Sequence, residues 1–101
     1  MLFRSERQAR EDAERQAREV AELQVLVKRA RSAAQAGDAA GAREQFAALL
    51  SICERVLGPE HLDTLSARHH LAYWTGEAGN AAGARDQYAA LLPIRERVLG
   101  P

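Results

Sequence analysis

Residues 37–59 read GDAAGAREQFAALLSICERVLGP, and residues 79–101 read GNAAGARDQYAALLPIRERVLGP. The offset is 42 residues, and 18 of the 23 aligned positions are identical. The five differences are Asp38/Asn80, Glu44/Asp86, Phe46/Tyr88, Ser51/Pro93 and Cys53/Arg95, three of which keep size or chemistry. Chance does not produce such a match, and a fixed period of this length marks stacked supersecondary units.

Each copy carries the punctuation of one helix. Gly37-Asp38 and Gly79-Asn80 supply a turn glycine and then a side chain that can accept a first-turn N–H. Ala42, Phe46, Leu49, Leu50, Cys53, Val56 and Leu57 recur at helical spacing, and Gly58-Pro59 ends the run. The second copy repeats this with Ala84, Tyr88, Leu91, Leu92, Val98 and Leu99, then Gly100-Pro101. Between the copies, Leu65, Leu71, Ala72 and Thr75 predict a helix over 62–78 with Asp63 or Thr64 near its cap. The equivalent stretch, 20–36, carries Leu23, Leu26, Val27, Ala30 and Ala33 on one face.

The expected class is therefore all-α, with helices at about 5–36, 39–57, 62–78 and 81–99 forming antiparallel hairpins that stack as a short solenoid. Unit 1 covers about 20–59 and unit 2 about 62–101. No helix in this plan can bury its apolar stripe alone, so the units must stack. Gly41 and Gly83 are read as aiding close contact between the helices of a hairpin. Pro93, inside the last helix, is expected to bend or restart it.

The pattern resembles the tetratricopeptide repeat family. Ala30 and Ala72 match the small residue of its first helix, Ala42 and Ala84 that of its second, and Phe46 and Tyr88 its mid-helix aromatic. The 42-residue period and LGPEHLDTL at 57–65 are similar to the long repeats of kinesin light chains and of bacterial signalling ATPases. Arg29 stands where unit 2 has Leu71, so unit 1 is either a degenerate repeat or a cap, and Leu62 replaces a common proline. The resemblance implies a non-catalytic module that binds a protein or peptide in a concave groove lined by the first helices. The implied groove residues are Gln24, Val27, Arg31, Ala34 and Gln35 with Ser66, His69, Tyr73, Gly76 and Glu77. The Lys/Asn carboxylate clamp of some relatives is not reproduced.

Residues 1–19 form a charged helical arm, with Glu6-Arg7-Gln8-Ala9-Arg10 echoed at Glu14-Arg15-Gln16-Ala17-Arg18. Opposite charges three and four residues apart support a solvated helix. Ala9, Ala13, Val20, Leu23 and Val27 continue one stripe, so the arm is either a packing extension of the first helix or a dimerisation seam. At the other end, Leu91, Leu92, Val98 and Leu99 lack a following helix and Arg95 replaces Cys53. Those five residues are the expected self-association surface of a homodimer. The chain stops at LGP where the first copy continues into EHLDTL, which leaves a cut fragment and a natural end both open.

Composition sets the exclusions. With 14 basic and 14 acidic residues the formal charge is zero, which gives no bulk attraction to nucleic acid or anionic membrane. Met1-Leu2-Phe3-Arg4 runs into alternating charges, so no secretory signal is read there, and a cytoplasmic setting is the default. Thirteen Arg to one Lys, with 21 Ala, fits a GC-rich bacterial gene. Cys53 is the sole cysteine and is read as a packed thiol. His69 and His70 are adjacent and point about 100° apart on a helix, so they make a poor metal pair. No phosphate loop or nucleophile elbow is present. Neither an enzyme, a metal nor a cofactor is expected. The competing reading of the whole chain is a structural homo-oligomerisation element.

Overall fold

Four stretches of helical periodicity become four helices in a computed structural model, which describes residues 5–100. They are α1 (Glu6–Gln35), α2 (Ala39–Val56), α3 (Leu62–Glu77) and α4 (Ala81–Leu99). Met1-Leu2-Phe3-Arg4, where a leader was sought, and Pro101 lie outside the described residues. The arm and the first repeat helix are one unbroken 30-residue helix, opened by Ser5, whose Oγ accepts from the Gln8 N–H at 3.1 Å.

Each helix packs on the next in sequence, while α1 and α3 stay apart, with no Cα pair within 8 Å among the described residues. The result is a thin slab, 52 × 34 × 17 Å. Ala30 of α1 and Ala42 of α2 are fully buried, in one core with Phe46, Leu49, Cys53 and Ala67. Small side chains at the crossing let the backbones approach, and the Phe46 ring fills the space beside them. The second hairpin repeats this with buried Ala72 and Ala84. There Gly76 of α3 makes the closest approach: a Cβ on it would lie 3.3 Å from Ala84 Cβ.

The hairpin turns follow their sequence signals. Gly37 and Gly79 adopt φ of +71° and +102°, a region that penalises any Cβ. Asp38 and Asn80 then cap α2 and α4, each accepting from the backbone N–H three residues on at 2.9 Å. The caps also constrain Gly41 and Gly83. A Cβ on either would collide with the capping side chain, coming within 2.7 Å of Asp38 Cγ or 2.8 Å of Asn80 Cγ. These glycines make room for the capping side chain.

Two further features concern the start of α3 and the middle of α4. The N-cap of α3 is His61, whose Nδ1 accepts from the Asp63 N–H at 3.1 Å; Asp63 lies in the first turn beside it, as expected, and Thr64 is fully buried. Pro93 does not restart α4, which runs through it from Ala81 to Leu99.

Asp38→Ala should cost about 1 kcal/mol in chemical denaturation through loss of the cap, and Gly41→Ala a similar amount by displacing Asp38. In the Asp38→Ala background, however, Gly41→Ala should stabilise by up to ~1 kcal/mol, because only helix propensity remains. Additive losses would contradict the cap-clearance role. Pro93→Ala should raise stability by about 1–3 kcal/mol, since the Ala89 carbonyl regains a donor; an unchanged melting temperature would count against that.

Candidate interaction groove

The separation of α1 and α3 above α2 opens a groove of about 240 Å³. Its floor is Phe46, Leu49, Cys53 and Leu57 of the second helix and the residue after it. Leu23, Val27 and Arg31 form one wall; Asp63, Ser66, Ala67 and His70 form the other. An apolar floor under a polar rim is the arrangement that buries an apolar side chain while fixing its orientation. No side chain of the described residues forms an ion pair or hydrogen bond with Arg31.

Of the groove residues named from the sequence, Val27, Arg31 and Ser66 come together here. Gln24 and Gln35 are exposed on α1 outside this lining, as is Glu77 on α3. His69 turns toward α4, with its ring 5.5 Å from that of Tyr88. Tyr73 is about half exposed and packs edge-on against Trp74 at 5.0 Å, while Trp74 itself leans on the core. The floor was not foreseen, because Phe46 and Cys53 carry only the signature of core positions. His70 was missed as well: it stacks on Phe46 at 4.9 Å and donates from Nδ1 to the Ser66 carbonyl at 2.8 Å.

The titratable groups near the groove are tuned mainly by burial. Burial raises the Cys53 thiol above its ordinary range, with Asp63 and Glu54 adding to the effect. A neutral thiol under apolar side chains is a poor nucleophile. Burial also lowers His69, assisted by the charges of His70 and Arg95. Arg55 and Arg97, repeated 42 residues apart, serve as surface ties, to Glu22 at 3.9 Å and Glu60 at 3.0 Å. Exposed pairs of this kind contribute little to stability.

The open end of the stack differs from expectation at one position. Leu91 is only 2% exposed, because it packs inward against α3. Leu92 and Leu99 are 58% and 56% exposed, Arg95 is exposed, and Val98 is half-buried. Among the described residues no three His, Cys, Asp or Glu side chains converge on a metal position, and no helix is long and apolar enough to cross a membrane.

His69 should titrate below the ordinary histidine range, near 6.5, when followed by NMR of its ring protons. Arg95→Gln should move it upward without restoring it fully, because burial remains. No movement on Arg95→Gln would mean that the guanidinium does not act on this ring.

No curated protein and no solved structure gives a significant match to this chain. A family model described as Tetratricopeptide repeat matches residues 19–97, which covers both hairpins and the groove. The chain therefore belongs to the tetratricopeptide repeat family.

Proposed function

We propose that the chain is a non-catalytic protein-interaction module that seats a peptide or helix of another protein in the groove between α1 and α3. The observation that carries this reading is the groove itself: an apolar floor at Phe46, Leu49 and Leu57 beneath an Arg31 without an internal partner. A floor of this size accepts one bulky apolar side chain, and Arg31 favours an acidic group beside it. Tyr73, exposed on the same helix as Ser66 and His70, extends the surface available to a longer ligand. Gln24, Gln35, His69 and Glu77 would serve as outlying contacts.

A second reading has its own support. Exposed Leu92 and Leu99 at the end of the stack favour self-association as a homodimer, and a structural homo-oligomer is the alternative to a ligand-binding module. A bacterial, cytoplasmic setting remains part of the proposal.

Selection from a displayed peptide library against the purified chain tests the first reading. Enriched peptides should carry a bulky apolar residue close to an acidic one. Their affinity should fall about tenfold or more on Arg31→Glu, and on Val27→Asp, with helicity by circular dichroism unchanged. Peptides that bind both variants as tightly as the parent would place the binding surface elsewhere.

A further inference from the structure

The two walls of the groove carry opposite charges at opposite ends. Arg31 is on the α1 wall, close to the turn from which α2 starts. Asp63 is on the α3 wall, just past the link into which α2 ends. The apolar floor runs between them, with Phe46 toward the Arg31 end and Leu57 toward the Asp63 end. By the 42-residue repeat, Asp63 is the counterpart of Ala21, which precedes Arg31 by ten positions. Ten positions of helical rise set the two charged residues about 15 Å apart along the groove.

Neither charge is neutralised within the chain. Arg31 has no side-chain partner among the described residues. The Asp63 carboxylate lies 3.9 Å from His61 Nδ1, but that nitrogen accepts from the Asp63 N–H and so holds no proton there to offset the charge. The acid also reaches the floor: after burial, Asp63 and Glu54 raise the Cys53 thiol. The groove is therefore polar along its length, cationic at one end and anionic at the other.

We propose that the groove takes an extended peptide segment of another protein, with a bulky apolar side chain on the floor, an acidic side chain toward Arg31 and a basic one toward Asp63. Spread over about 15 Å, a volume of about 240 Å³ holds one row of side chains and not the body of a helix, which is about 10–12 Å across. An extended chain covers that distance in about four or five residues, so the acid and the base stand that far apart in the ligand. This deepens the peptide-binding reading above and rests on it. That reading needs only the apolar anchor and the acid; the base, its spacing and the extended form are new.

A random peptide library displayed on phage, selected in parallel against the full chain, Asp63→Asn and Asp63→Lys, tests it. Peptides enriched on the parent should carry a base about four or five positions from the acid, with the apolar residue between. Asp63→Asn should keep the acid and lose the base, and Asp63→Lys should select a second acid in its place. In a peptide enriched on the parent, replacing the base by alanine should weaken binding to the parent about two- to fivefold and leave binding to Asp63→Asn unchanged. A role for Asp63 confined to the start of α3 would not alter the charge pattern of the peptides. Peptides with the acid but no base, or the same base selected by all three chains, overturn the polar-groove ligand and leave peptide binding standing. A parent that enriches no peptide overturns both.

Discussion

The approach of the two helices of a hairpin at alanine is the constraint on which the rest of the structure depends. Ala30, Ala42 and Ala72 are completely buried, and Gly76 lies against Ala84 where even a methyl group would be tight. Backbones this close leave no space for large side chains at the crossing, so the bulk must be found farther along the helices. Phe46, Leu49 and Leu91 provide it, filling the space between neighbouring helices. A larger residue at Ala30 or Ala42 would separate the hairpin and withdraw the floor on which α3 rests.

The spacing between helices also produces the groove. Each first helix contacts only the second helices on either side of it, and α1 and α3 therefore diverge above α2. The gap exposes one edge of a core that would otherwise be closed, so the residues that hold the fold together are the same ones that line the candidate site. His70 illustrates the overlap, since its ring covers Phe46 while its Nδ1 is tied to the Ser66 carbonyl. Packing and groove lining coincide at such positions, and on the opposite wall Val27 also packs against the core while Arg31 is exposed.

The two repeats have diverged where their neighbours differ. Cys53, beneath α3, is buried and uncharged, and its counterpart Arg95 is exposed on α4. Phe46 has become Tyr88, which keeps the ring and adds a hydroxyl that a wetter position accepts. At the other end, Leu71 and Trp74 correspond to Arg29 and Ser32 on the outer face of α1. One end of the slab is thus polar and the other keeps an apolar seam interrupted by a single cation.

The sequence by itself determined the helices, their turns and the family. Helical periodicity, Gly-Asp and Gly-Asn turns and the 42-residue match are local or self-referential signals, readable without knowing what touches what. The resemblance to the family, rather than spacing, supplied Val27, Arg31 and Ser66 as expected groove residues, and the fold brings these three to one groove. Tertiary structure decided the rest, for a physical reason in each case. The role of Gly41 and Gly83 in clearing the cap was not legible, because only coordinates reveal the capping side chain folded over them. Leu91 was placed at the open end because spacing says which residues share a stripe, not which part of that stripe the preceding helix covers. The floor of the groove was invisible because it exists only where two helices whose backbones stay apart leave a third uncovered between them.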